Sequence, residues 1–169
     1  MNIMRNLKID KVTLNFGAGT DQKKLEKGLK LLKLISGKNP VKTYSRGRVP
    51  AWGLRVGLPI GCMITVRGKE AEQLLGRLLK AKEYKLKPNI FDTQGNFSFG
   101  IHEYVDITDV KYDPEIGIIG FETAVTLRRP GYRVSIRRLR SKALPKKQII
   151  SAGEAQEFIK QKFNVRFEV

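Results

Sequence analysis

Apolar and polar residues alternate through Val12, Leu14 and Phe16, the period of a strand with one face buried. Gly17-Ala18-Gly19 breaks the run, and Thr20 or Asp21 is placed to cap a helix that extends to about Ile35. On that helix Leu25, Leu29 and Leu32 form an apolar stripe. Lys23, Lys24, Lys27 and Lys30 coat the rest, and Gly37 ends it. A second strand is expected near Val41 to Tyr44, followed by a loop rich in Gly, Pro and Arg from Ser45 to Pro59. Ile60, Cys62, Ile64 and Val66 then alternate as a third strand that Gly68 stops. Glu70 to Lys80 has helical period, with Ala71, Leu74, Leu75 and Leu78 inward.

The second half is less even. Residues 87–97 carry no clear period, after which Phe97, Phe99 and Ile101 begin a strand. A turn-rich stretch separates it from another at Phe121, Thr123, Val125 and Leu127. Ser151-x-x-Glu154 has the form of a capping box, opening a final helix over 151–163 through Ala155, Phe158, Ile159 and Phe163. Val165, Phe167 and Val169 suggest a short terminal strand. Helices and strands interleave unevenly, with hairpin-like stretches late in the chain. The expected fold is therefore α+β: a single domain over 1–169, with an antiparallel sheet, helices on one face and a long basic loop.

Charge changes the picture. The chain has 169 residues, 41% of them hydrophobic, which suits one domain with a core. Lys and Arg number 33 against 16 Asp and Glu, a net charge of +17. A compact body so charged repels itself, and phosphate backbone is the commonest partner that neutralises it. A solubility charge or an anionic membrane surface is the plainer alternative. The distribution argues against both. Between Glu26 and Glu70 lie ten basic residues and no acid, and from Arg128 to Lys147 nine more and again no acid. From Asp92 to Leu127 seven acidic residues face Lys111 alone. Such segregation suggests two faces with different partners.

Arginine dominates the late basic segment, 128–147, and its planar fork suits phosphate. Arg128, Arg129, Arg133, Arg137, Arg138 and Arg140 are the expected phosphate contacts. Arg133, Arg137 and Arg140 recur at helical spacing, so the segment is either part helix or a tail that orders on binding. In the earlier loop Trp52 sits among Arg48, Pro50, Gly53 and Arg55. It either stacks on nucleic acid or folds back over the core.

Catalytic readings find little support. His102 is the only histidine and Cys62 the only cysteine, which leaves no intramolecular disulfide, cysteine-based zinc site or usual triad. Gly17-Ala18-Gly19 precedes a helix as a phosphate loop would, but Gln22 stands where a dinucleotide fingerprint needs its third glycine. Asp106, Asp109 and Asp113 suit Mg²⁺ in principle and read better as surface carboxylates. Met1 to Asp10 lacks the apolar core of a signal peptide, and no apolar stretch approaches the ~20 residues that span a bilayer. The expectation is a cytoplasmic, non-enzymatic protein with no metal, cofactor, membrane or small-molecule partner.

Three segments carry a resemblance. They are Val12-Thr13-Leu14-Asn15-Phe16-Gly17-Ala18-Gly19, then Arg46 through Gly68, including Pro59-Ile60-Gly61-Cys62 and Thr65-Val66-Arg67-Gly68, and then Asp92 through Ile101. In order and spacing they resemble the universal large-subunit ribosomal protein family that carries 5S ribosomal RNA, L-five. Lys111 to Ile118 and Arg129 to Arg133 look like its archaeal and eukaryotic branch, archaeal by length. The resemblance implies a structural, ribosome-bound role in the central protuberance. The partners it implies are 5S rRNA, large-subunit rRNA, the P-site tRNA and a small-subunit ribosomal protein at an intersubunit bridge. It places Asn15, Thr65 and the adjoining Arg67 on 5S rRNA. Lys38 joins them at a position where bacterial members commonly have Gln, meeting either a base edge or a phosphate. Arg46, Arg48, Trp52 and Arg55 fall in the loop expected to reach tRNA, where Tyr44-Ser45 replaces the family's usual Lys-Ala. The acidic stretch is expected off the main RNA face, part of it turned to a basic protein across the subunit interface.

Overall fold

In the computed structural model, which describes residues 2–167, the first alternating run forms β1 (Lys8–Gly17). It is followed by α1 (Gln22–Ser36), β2 (Val41–Tyr44), β3 (Pro59–Arg67) and α2 (Lys69–Ala81). The second half holds β4 (Lys85–Leu86), β5 (Phe97–Ile101), β6 (Phe121–Arg128), α3 (Arg133–Ile136), α4 (Ala152–Phe163) and β7 (Arg166–Phe167). Five strands make one antiparallel sheet in the order β2-β3-β1-β6-β5, the α+β layering expected.

β1 lies at its centre, and its apolar positions pair with apolar residues, except that Leu14 faces buried Thr123 on β6. Val12 pairs with Val66 and Val125, and Phe16 pairs with Cys62. Strand geometry turns all of these to one face. There α1 and α2 cover them with Leu25, Leu31, Leu32, Ile35, Leu74, Leu75, Leu78 and Leu79. Burial pushes the Cys62 thiol up to about 11, which keeps it protonated and inert at neutral pH.

Asp21 caps α1, its Oδ1 accepting from the backbone N–H groups of Lys23 and Lys24 at 2.9 and 3.2 Å. The buried stripe of this helix differs from the expected one. It runs through Leu25, Gly28, Leu31, Leu32 and Ile35, with Leu29 only half buried. The phase follows from Phe16, whose ring occupies the space a side chain at position 28 would need. A Cβ there would lie 2.2 Å from Phe16 Cδ1.

The excursion between β5 and β6 holds most of the acidic stretch and is anchored to the body. Tyr104, Ile107 and Ile116 are buried, and the Tyr104 hydroxyl accepts from the Asp113 backbone N–H at 2.9 Å. Glu115 pairs with Lys30 of α1 at 2.6 Å, and Asp109 with Arg77 of α2 at 3.8 Å. The acidic excursion thus joins the helical side of the sheet, while Glu122 of β6 lies outside it, exposed in register with Asn15.

The capping box of α4 forms as its sequence predicts. The Ser151 hydroxyl accepts from Glu154 N–H at 3.4 Å, and Glu154 Oε2 from Ser151 N–H at 3.1 Å. β7 lies beside β4 in parallel, outside the antiparallel sheet, and the expected continuation to Val169 lies outside the described residues. No helix among the described residues is long and apolar enough to cross a membrane.

Gly28→Ala gains helix propensity yet must displace a buried ring, and overpacking dominates. The variant should lose about 1–3 kcal/mol in urea unfolding, whereas a stabilised protein would contradict the packing of Phe16 on α1.

Candidate nucleic-acid interface

The sheet face opposite α1 and α2 follows from the same alternation. Across β3, β1, β6 and β5 it carries Thr65, Thr13, Ala124 and Ser98 in one row. The next row holds Met63, Asn15, Glu122 and Gly100. Beyond the threonines come Arg67, Lys11 and Thr126. Asn15 and Thr65, named from sequence, are exposed on adjacent strands of this face. Thr13 and Thr65 bring their hydroxyls within 3.4 Å. Small neutral donors and acceptors on rigid strands suit contact with a shaped polar surface. Sequence reasoning missed Thr13, Ser98 and Thr126, although each stands between two inward apolar positions of an alternating run.

Lys38 follows α1 directly and pairs with Glu70 in the first turn of α2. Its ammonium is therefore held near the end of β3, where α2 begins.

The segment between β2 and β3 is a closed finger. Ser45 N–H donates to Leu58 O at 2.9 Å, Gly57 N–H to Ser45 O at 3.0 Å, and Val49 and Leu54 exchange two bonds of 3.1 Å. A one-turn 3₁₀ helix, Pro50–Trp52, forms the tip, and Gly53 leaves it with φ +65°. Trp52 is 72% exposed, which removes the alternative of a cover over the core. Arg46, Arg48 and Arg55 are exposed on the same finger.

The late basic segment is part helix, over a single turn, and is not an extended tail. That turn is α3, and the segment folds back through several ties. The Tyr132 hydroxyl donates to Gln148 O at 2.9 Å, Gln148 Nε2 to Pro130 O at 3.1 Å, and Lys142 N–H to Val134 O at 3.1 Å. Arg133, Arg137, Arg138 and Arg140 remain exposed, Arg137 Nε donating to Arg140 O at 2.9 Å. Arg128 is exposed and pairs with Asp10 at 3.1 Å.

Arg129 departs from expectation. It is 6% exposed and pairs through Nη2 with Glu154 Oε1 at 2.8 Å, locking the end of β6 to the start of α4. A buried guanidinium held this way is a structural group rather than a phosphate contact. The alternation Phe121, Thr123, Val125, Leu127 already points position 129 inward.

An uncovered polar sheet face, an arginine-bearing finger and a folded-back arginine loop make an α+β protein whose exposed cations suit a polyanion. Comparison with known proteins narrows this. A family model described as ribosomal protein L5 matches residues 2–55, and a model of the C-terminus of the same ribosomal family matches residues 59–166. Large ribosomal subunit protein uL5 of Methanosphaera stadtmanae is 42% identical over 168 residues, 99% of this chain and 100% of the relative. The uL5 protein of Sulfurisphaera tokodaii is 45% identical over 166 residues, 98% of this chain and 94% of the relative. That of Nanoarchaeum equitans is 43% identical over 164 residues, 96% of each. The chain belongs to the ribosomal protein L5 family, whose members are structural components and not enzymes. The two matched regions meet at the finger, yet β1 and β2 from the first share one sheet with β3, β5 and β6 from the second.

Glu154 provides a pH test of the Arg129 tie. Its carboxyl is held below the ordinary value of 4.5, first by the Ser151 backbone N–H and then by the Arg129 guanidinium, with burial opposing both. A lowered folded value contributes stability that is present above pH 4.5 and disappears as pH falls through that lower value. Glu154→Gln should therefore melt below wild type at neutral pH, and the gap should close in acid. A gap that persists unchanged at low pH would contradict the ion pair.

Proposed function

We propose that this protein is a constituent of the large ribosomal subunit that holds 5S rRNA on its open sheet face. The exposed arginines of the late segment, Arg128, Arg133, Arg137, Arg138 and Arg140, neutralise large-subunit rRNA. The finger of Arg46, Arg48, Trp52 and Arg55 reaches the P-site tRNA, with Trp52 available to stack on a base or ribose. The acidic excursion, on the helical side, is turned to a basic small-subunit protein at an intersubunit bridge.

The observation that carries this reading is the placement of Asn15 and Thr65 in adjacent rows of neighbouring strands on one exposed face, with Arg67 in the row beyond Thr65. Neutral hydrogen-bonding groups on strands discriminate shape, while surrounding cations supply salt-dependent affinity. A purely electrostatic binder has no use for such a patch.

Titration against 5S rRNA, unrelated RNA and duplex DNA tests it. The protein should prefer 5S rRNA, and Asn15→Ala or Thr65→Ala should reduce that preference by ~1–3 kcal/mol. Arg46→Ala or Arg133→Ala should instead weaken all RNA binding and lower the salt slope by about one unit each. Equal affinity for all three nucleic acids would refute the assignment.

A further inference from the structure

One carboxylate lies beneath paired arginines at the margin of the open sheet face. Asp10 is the extra residue of a β-bulge in β1, where the pairing with β6 shifts register between Ile9 and Lys11. β1 is flanked by β3 and β6, so a side chain released from the ladder there can reach both neighbours. Asp10 does so. Its Oδ2 lies 3.2 Å from Arg67 Nη1 on β3, and its Oδ1 lies 3.1 Å from Arg128 Nη1 on β6. The carboxylate side chain is 12% exposed, whereas those of Arg67 and Arg128 are 60% and 49% exposed. The acid thus lies beneath two guanidiniums that face solvent.

These groups line an open cleft of about 620 Å³ where β3 turns into α2, together with Lys8, Lys69 and Glu72. Glu72 is engaged elsewhere, paired with Lys162 of α4 at 2.7 Å. Among the described residues neither Lys8 nor Lys69 has an ion-pair partner. Four cations therefore surround one carboxylate, which divides its two oxygens between the two arginines. A guanidinium has five N–H donors in a rigid fork, so both retain most of theirs for a ligand.

We propose that this cleft is a seat for an RNA phosphodiester, with Arg67 and Arg128 as a paired clamp and Lys8 and Lys69 at its sides. Asp10 is the positioning residue that holds the two forks at a fixed separation. This rests on the reading of the open face as an RNA-binding surface, and adds a residue of the opposite charge to it. Long side chains lose rotamer freedom on binding, and an anchor beneath them removes part of that cost beforehand. The clamp recognises the phosphodiester and not the base sequence.

A positioning role carries a sign opposite to simple electrostatics. Removing a negative charge beside bound RNA should tighten binding if Asp10 only repels phosphate. If Asp10 positions the clamp, Asp10→Asn weakens binding roughly tenfold and lowers the salt slope. Asp10→Glu, which keeps the carboxylate, should recover part of the loss. In an Arg67→Gln/Arg128→Gln background the same Asp10→Asn change should no longer weaken binding.

The experiment is a salt-dependent titration of the full chain and these variants against 5S rRNA and an unrelated RNA of equal length, with melting temperatures as a folding control. Asp10→Asn binding both RNAs as tightly as wild type, or more tightly, overturns the proposal. A wild-type protein that fails to distinguish the two RNAs refutes the 5S assignment instead. The Asp10 effect is still read on either RNA, because the seat takes backbone. Should Asp10→Asn fail to fold, Arg67→Gln and Arg128→Gln decide the matter. Losses smaller together than their sum support one shared seat, and fully additive losses overturn it.

Discussion

Every group on the open face owes its direction to the register of β1 between β3 and β6. Val12, Leu14 and Phe16 cannot all be buried unless Lys11, Thr13 and Asn15 point the other way. A slip of one residue would exchange the two sets, placing Phe16 in solvent and Asn15 under the helices. The core therefore sets the interface. Packing of Phe16 into the space above Gly28 fixes how α1 lies on the sheet, and the same strand delivers Asn15 and Thr13 to the opposite side.

The net charge of +17 is managed within that frame. Acidic residues of the excursion are engaged with Lys30 and Arg77 on the helical side, and Glu154 holds Arg129 inside. The finger and the late loop leave their arginines in solvent. Segregation in sequence thus becomes separation in space, with Asp10 among the cations and Glu122 on the open face as exceptions. The ribosomal role follows from family membership, while the face that meets RNA is argued from this arrangement.

Much of the fold is legible in the sequence because alternation and capping are local. β1, β3, β5, β6 and the capping box of α4 are written in period and side-chain type. What escapes depends on contacts distant in sequence. The phase of α1 is decided by the Phe16 ring, and the parallel pairing of β7 with β4 joins segments 81 residues apart by the register Lys85 with Arg166. A run of arginines carries no sign of direction. Arg129 reads with its neighbours as a phosphate contact, although the strand preceding it already turns it inward. Asp10 is hidden for a different reason, since a bulge breaks the alternation that would assign it a side. The segment around Gly95 and Asn96 supports the family resemblance, and its structural duty is plain from its contacts. Asp92 accepts from the Asn96 and Gln94 N–H groups at 2.8 Å, and a Cβ at Gly95 would lie 2.6 Å from Ile150.

The central claim is that RNA lies on the open face and its cationic margin, and that the acidic excursion stays clear of it. Lysine acylation read by mass spectrometry, with and without 5S rRNA, tests this directly. Lys11 on the open face and Lys69 at its margin should become protected, while Lys111 in the acidic excursion keeps its reactivity. Protection of Lys111 with Lys11 and Lys69 unchanged would contradict the account.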